Sequence, residues 1–202
     1  MRLAVDVMGG DDAPDAVLKG CVESLKLLGP DDRLVLVGPE DLISDHLSEL
    51  SAPSDKVEIE HAPDVIAMHD APAASVRSKR NSSIVRLAKL GSGKVDNPCD
   101  AVFSAGNTGA CVSAGVMHMK RLPGVHRPGI AVTIPAFHGP VILCDAGANP
   151  EPKPTHLWQY AVMADVVARD TLRMDAPRVA VMNIGAEEGK GSELVKGAAE
   201  LI

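Results

Sequence analysis

Short apolar runs alternate along this chain with segments of helical period. Arg2–Val7, Arg33–Val37, Lys56–Glu60 and Ala101–Phe103 have the length and content of buried strands. Gly129–Ile134, Pro140–Cys144 and Arg178–Met182 continue the series. Between them Ala16–Leu28, Asp41–Leu50, Ile84–Leu90, Ala110–Met119 and Pro154–Leu172 space their apolar residues as helices do, and a last helix starts at Ser192. Asp11 or Asp12 is placed to cap the first helix, with Pro14 in its first turn and Gly29-Pro30 as its stop. Ala62–Pro72 reads as irregular. Strands alternating with helices predict a three-layer α/β/α fold, a doubly wound and mostly parallel sheet with right-handed crossovers.

In such a sheet ligands bind where loops leave the carboxyl ends of strands. Four predicted strand ends open into polar loops containing glycine, at Gly9, Gly106, Gly147 and Gly185. Parallel strands would bring all four to one edge. The central loop, Ser104–Gly109, combines Gly106 and Gly109 with the donors Ser104, Asn107 and Thr108 and leads into a helix start. That combination suits an oxyanion such as phosphate, although a tight structural turn uses the same residues. Gly9-Gly10-Asp11 reads either as a turn with a cap or as a second ligand loop. Ser82 and Ser83, at a helix start beside Arg77, Lys79 and Arg80, read either as part of a solvated basic face or as an anion site.

Composition narrows the picture. The 202 residues suffice for a sizeable core, yet aromatics are only 2%, so small aliphatic side chains must build it. Ser51-Ala52-Pro53-Ser54 is the nearest thing to a linker and is too short to divide domains, so a single domain over residues 1–202 is expected. The chain stops at Leu201-Ile202 inside its last helix, which reads as an incomplete C-terminus. A net charge of −7 argues against a general nucleic-acid surface. No apolar run reaches the ~18 residues of a membrane helix, and an acid follows too soon after Met1 for a signal peptide. Cys21, Cys99, Cys111 and Cys144 show no paired spacing, as free thiols in a reducing cytoplasm would.

Several chemistries lack their residues. Gly185-Ala186-Glu187-Glu188-Gly189-Lys190 has three residues, not four, between its first Gly and the Gly-Lys of a phosphate-binding loop. No G-x-G-x-x-G follows a strand, no G-x-S-x-G occurs, and the seven histidines form no metal-ligand pattern. No His is followed five positions later by Asp, as membrane glycerolipid acyltransferases require. What remains suits a reaction whose substrate brings its own nucleophile. Phosphate near pH 7 is partly a dianion, so the protein has mainly to hold it, align it and stabilise an oxyanion.

Six blocks then occur in order: Met8-Gly9-Gly10-Asp11 with Ala13-Pro14, Lys79 with Ser82-Ser83, Ser104–Ala110, Arg127-Pro128, Asp145–Asn149, and Asn183-Ile184-Gly185 with Glu187 and Lys190-Gly191. Together they resemble the bacterial phosphate acyltransferases of phospholipid synthesis, the PlsX family. The resemblance spans Met1 to Ile202, and family members continue further. It implies a fold similar to phosphotransacetylases and isocitrate-dehydrogenase-like enzymes. It also implies transfer of a fatty acyl group from acyl-carrier protein to inorganic phosphate without a cofactor, in a cytoplasmic homodimer loosely associated with the membrane. A membrane glycerol-3-phosphate acyltransferase would consume the acyl phosphate. Cys111 and Cys144 stand where the family more often has aliphatic residues, which disfavours a thioester-forming cysteine.

On this reading Lys190, Asn183 and Asn107 are the candidate catalytic residues. Gly9, Gly10, Asp11, Ser82, Ser83, Ser104, Gly106, Thr108, Gly109, Asp145 and Asn149 are candidates for binding phosphate or substrate, with Asp145 and Asn149 better suited to orienting loops than to touching an anion. An acidic carrier protein docking on an acidic chain needs a local basic patch, and Arg77, Lys79, Arg80 and Lys120, Arg121, Arg127 are the two dense clusters. A phosphotransacetylase using acyl-coenzyme A, a nicotinamide-dependent dehydrogenase of the isocitrate type and a non-catalytic scaffold are the rival readings.

Overall fold

The computed structural model describes residues 1–53, 55–185, 187 and 190–202. They form two compact units, Met1–Lys120 and Arg121–Ile202. Ser54, in the stretch read as too short for a linker, and Ala186, Glu188 and Gly189 of the last predicted loop, lie outside the described residues.

The first unit is built on a four-stranded parallel sheet of β1 (Arg2–Asp6), β2 (Arg33–Gly38), β3 (Val57–His61) and β4 (Ala101–Phe103), in the order β3-β2-β1-β4. Strands of a parallel sheet are covered on both faces, so β1 and β2 are continuous apolar runs rather than alternating ones. Val5, Val7, Leu34 and Leu36 pack on one face against Leu18, Cys21 and Leu25 from α1 (Asp15–Ser24) and its 3₁₀ extension Leu25–Leu27, with Ile43 of α2 (Glu40–Glu49). Ala4, Val35 and Val37 pack on the other face against Leu87 and Leu90 of α4 (Ser83–Leu90). Behind this layer α3 (Pro72–Ser78), α4 and α5 (Thr108–His118) share a second cluster of Val76, Ile84, Val85, Ala88, Ala110 and Ala114. Ala110 and Ala114 are fully buried, and their small size lets α5 lie close to its neighbours. The three-layer α/β/α arrangement expected from the pattern is present here.

Three local expectations change. Asp11 and Asp12 do not cap α1; Pro14 occupies the cap position, and no side chain bonds the first-turn N–H groups. The run Ala16–Leu28 breaks at Ser24 into the 3₁₀ turn and extended backbone at Leu28. The segment before Ser82 contains α3, started by Pro72 in its first turn, which suits a residue that has no N–H to lose there.

In the second unit β5 (Ala131–Ala136) and β6 (Gly139–Cys144) are not parallel members of a continued sheet. They form an antiparallel hairpin, Ala131 opposite Cys144 and Ala136 opposite Gly139. Only Phe137 and His138 lie between them, with Gly139 at φ 117°. A parallel crossover needs a dozen residues or more, whereas two suffice for a hairpin. The segment Arg178–Met182, expected as a strand, has no strand pairing. α6 (Pro154–Asp170) packs on β6 and on α7 (Glu193–Ala199), with Tyr160 fully buried. Gly129 admits this ring: a Cβ there would sit 2.9 Å from Tyr160 Cδ1.

Candidate functional site

Of the four glycine loops, those at Gly9 and Gly106 share an edge, because β1 and β4 are adjacent and parallel and both loops leave their carboxyl ends. The expectation of four loops on one sheet edge is therefore corrected to two. The Gly147 loop follows a hairpin strand, and the Gly185 loop follows unpaired backbone.

The shared edge is organised by a residue the sequence reading passed over. Asp6 ends β1 and is 1% exposed. Its Oδ2 accepts from Ser104 Oγ at 2.8 Å, and its Oδ1 accepts from the Met8 N–H at 3.1 Å. Ser104 Oγ in turn accepts from the Gly106 N–H at 3.1 Å. A charged side chain ending an apolar strand was the available signal, since a buried carboxylate needs partners. The same contacts explain the glycines. A Cβ on Gly9 would lie 2.7 Å from the Gly106 nitrogen, and one on Gly106 would lie 3.3 Å from the Gly9 Cα. The two glycines thus let the loops approach each other. Gly10 holds a positive φ of 125°, while Asp11 is exposed.

Gly109 has a packing reason of its own, because a Cβ there would meet Pro72 Cγ at 2.7 Å. Asn107 is the N-cap of α5. Its Oδ1 accepts from the Ala110 N–H at 3.0 Å, and its Nδ2 faces the carbonyls of Ala67, Met68 and Asp70 at 3.1, 3.3 and 3.2 Å. Its amide is thereby committed to joining α5 to the 67–70 turn, so Asn107 is a positioning residue here rather than a free donor. The cap engages Ala110, which leaves the N–H groups of Thr108 and Gly109 at the first turn of an 11-residue helix. Thr108 is exposed.

Ser82 and Ser83 do not form an open anion site. Both are enclosed, at 0% and 1% exposure. The Ser82 N–H bonds the Lys79 carbonyl and the Ser83 N–H the Asp64 carbonyl, while Ser82 Oγ caps α4 by accepting from Val85. Lys79 likewise leaves the docking cluster: its Nζ pairs with Asp70 Oδ2 at 2.6 Å and donates to the Val65 carbonyl at 2.8 Å. That partner, with the Ala67 N–H, holds the Asp70 carboxyl below its ordinary value. Arg77 and Arg80 remain exposed one turn apart.

In the second unit the Asp145 carboxylate bonds backbone N–H groups of its own loop and of Ile130. Oδ1 accepts from the Ile130 and Ala148 N–H groups and Oδ2 from the Asn149 N–H, at 2.8, 3.1 and 2.8 Å. Burial opposes the charged carboxylate, but these hydrogen bonds prevail and hold it below its ordinary value. Asn149 Nδ2 adds bonds to Asp145 Oδ2 and to the Pro128 carbonyl, at 3.2 and 2.7 Å. With both side chains so engaged, neither is offered to an anion. Asn183 and Lys190 meet through the loop itself, Asn183 Nδ2 donating to the Lys190 carbonyl at 3.2 Å. A Cβ on Gly191, which has φ 97°, would strike the Asn183 side chain at 2.7 Å. The Lys190 side chain is exposed. Lys120, Arg121 and Arg127 are exposed too, and the Arg121 guanidinium donates to the His126 carbonyl.

The cysteines are all free thiols, and burial pushes Cys111 upward and Cys144 up to about 11. Thiols held protonated are weak nucleophiles at neutral pH. Among the described residues no cluster of three or more His, Cys, Asp or Glu could hold a metal, and no helix is long and apolar enough to cross a membrane.

A family model described as "Fatty acid synthesis protein" matches residues 1–202. A phosphate acyltransferase of Salinibacter ruber is 43% identical over 202 residues, and one of Bacillus subtilis is 40% identical over 203. Each match takes in the whole chain and 59% of the relative, so the chain spans less than two thirds of their length. Among solved structures, the EutD phosphotransacetylase from Staphylococcus aureus matches with a TM-score of 0.65, over 98% of this chain and 62% of that one. At 21% identity the likeness is one of fold.

Proposed function

The chain belongs to the fatty acid synthesis protein family, and on that premise we propose that it serves transfer of a fatty acyl group from acyl-carrier protein to inorganic phosphate. A phosphate oxygen forms a bond to the thioester carbonyl carbon, the C–S bond breaks, and the carrier's thiol leaves with a proton. The products are acyl phosphate and free carrier protein. The observation that carries this reading is the Gly9–Gly106 edge. Two loops pressed together at the ends of adjacent parallel strands lie beside the start of α5, where the first-turn N–H groups of Thr108 and Gly109 and the positive end of a helix are found. The names of the relatives at about 40% identity point to the same chemistry.

Within the proposal Lys190 neutralises phosphate or the oxyanion formed from the thioester, and Asn183 fixes the Lys190 backbone. Asp6, Ser104 and Asn107 position the loops. Arg77 and Arg80 in the first unit, and separately Arg121 and Arg127 in the second, are the candidate positive patches for an acidic carrier protein, with Lys120 at the end of the first. A homodimer, cytoplasmic residence with peripheral membrane contact, and a membrane glycerol-3-phosphate acyltransferase as the next enzyme belong to the same reading. The test is to incubate the gene product with palmitoyl-acyl-carrier protein and phosphate and to trap acyl phosphate with hydroxylamine. A phosphate-dependent signal larger than with palmitoyl-coenzyme A is expected. No signal with either donor overturns the reading, and a larger signal with the coenzyme A thioester transfers it to a phosphotransacetylase.

A further inference from the structure

Away from the Gly9–Gly106 edge, towards the amino ends of β1 and β4, the sheet face under α4 opens into a cavity of about 320 Å³. Arg2, Glu60, Arg86 and Lys89 line it together with the apolar Leu90 and Val95. The three cations differ in how far their hydrogen-bonding capacity is used. Arg2 is the best satisfied, with Nη2 on Glu58, Nη1 on the carbonyls of Asn97 and Pro98, and only Nε left at 3.4 Å from Glu58 Oε1. Arg86 is less so. Its Nη2 reaches Asn81 Oδ1 at 3.1 Å, its Nη1 reaches Glu60 Oε1 only at 3.4 Å, and its Nε is buried without an acceptor among the described residues. Lys89, three residues on along the same helix, reaches only the Arg80 carbonyl among the described residues, at 3.4 Å. These 3.4 Å contacts exceed the roughly 2.7–3.2 Å of a full N–H···O bond.

Two cations one helical turn apart repel one another, and of the pair only Arg86 has a carboxylate contact among the described residues, to Glu60. An oxyanion in the cavity offsets that repulsion and gives Arg86 Nη1 and Lys89 Nζ an acceptor nearer than their present 3.4 Å contacts. The Glu60 carboxylate and the partial negative charge at the carboxyl end of α4 oppose an anion, and the three cations Arg2, Arg86 and Lys89 of the lining outnumber them. The guanidinium fork and the ammonium group together suit phosphoryl oxygens. The cavity exceeds a bare phosphate ion, and its apolar lining calls for carbon.

We propose that this cavity binds a small organic phosphate, its phosphoryl oxygens on Arg86 and Lys89 and its carbon body against Leu90 and Val95. The site is separate from the Gly9–Gly106 edge and does not depend on the acyl-transfer reading.

The experiment is a titration of the ¹⁵N-labelled chain with glycerol 2-phosphate, reading the Arg86 Nε–H resonance. A saturable shift is expected, with the Gly9 and Gly106 amides unmoved. Lys89→Gln should weaken binding roughly tenfold without changing the acyl-phosphate assay. Arg86→Lys, which keeps the charge but loses the fork, should weaken it as well. Absence of a saturable Arg86 shift overturns the proposal. So does undiminished affinity in Lys89→Gln, or an equal shift with sodium chloride at matched ionic strength. A shift with inorganic phosphate as strong as with the probe overturns the role of Leu90 and Val95.

Discussion

Ser104 Oγ donates a 2.8 Å hydrogen bond to Asp6 Oδ2, across the ends of β4 and β1. This bond joins residues 98 positions apart and fixes the spacing of the two loops that follow them. Asp6→Ala would leave the partly buried Ser104 hydroxyl and Met8 N–H without their acceptor. A loss of about 1–3 kcal/mol in urea unfolding is expected, with a fall in acyl-phosphate turnover. Asp6→Asn, which keeps an acceptor oxygen, should retain more of both. Unchanged stability and turnover in Asp6→Ala would contradict the link.

Gly9→Ala tests the close approach itself. The added methyl would lie 2.7 Å from a backbone nitrogen, which has no flexible end to swing aside. The loops must separate, at a cost of roughly 1–3 kcal/mol by analogy with overpacked cores. Phosphate KM is expected to rise, because the loops rather than the core absorb the shift. A wild-type KM and unfolding midpoint in Gly9→Ala would show that the edge accommodates a side chain.

Asn107 performs two tasks that substitution separates. Asn107→Ser keeps a hydroxyl oxygen able to cap α5 but removes the Nδ2 donor to the three carbonyls of the 67–70 turn. Asn107→Ala removes both, and loss of the cap alone is worth about 1 kcal/mol. Thermal unfolding should therefore rank wild type above Asn107→Ser and Asn107→Ala lowest. Equal melting temperatures for the two variants would mean that the cap contributes nothing.

Lys190→Ala should leave unfolding unchanged, because the side chain is exposed, while lowering turnover. Loss of a charge on the developing oxyanion is typically worth ~3 kcal/mol, or roughly a hundredfold in kcat. Stopped assays at saturating phosphate would measure this. Wild-type kcat removes Lys190 from the proposed machinery.

The Lys79–Asp70 pair predicts an acid-side effect. Asp70 lies below its ordinary 3.8, mainly through its hydrogen bond from Lys79. A depressed folded-state value contributes stability that is present above 3.8 and is lost as the pH falls through the lower, folded value. Lys79→Met should remove that contribution, making the unfolding free energy flatter with pH on the acid side. Identical acid limbs in both proteins would show that the pair is not linked to folding.

The sequence by itself determined the first unit. β1 and β2 are buried from two sides, so their apolar runs have one reading, and the glycines after β1 and β4 announced the shared edge. It could not separate parallel from antiparallel pairing for Gly129–Ile134 and Pro140–Cys144. Both kinds of strand are short apolar runs, and the few residues between them were the signal for a hairpin. Arg178–Met182 shows the converse: apolar content permits a strand, but only a partner with free backbone groups makes one.

Among candidate site residues, the sequence supplied side-chain types and tertiary structure decided their use. Ser82, Ser83, Lys79 and Asn107 have the groups that bind anions, yet in this fold those groups meet internal partners first. Asp6 has a group that resembles any other acid until β4 brings Ser104 beside it. A hydrogen bond depends on distance and direction. Residues 98 apart in the chain acquire both only when the sheet closes between them.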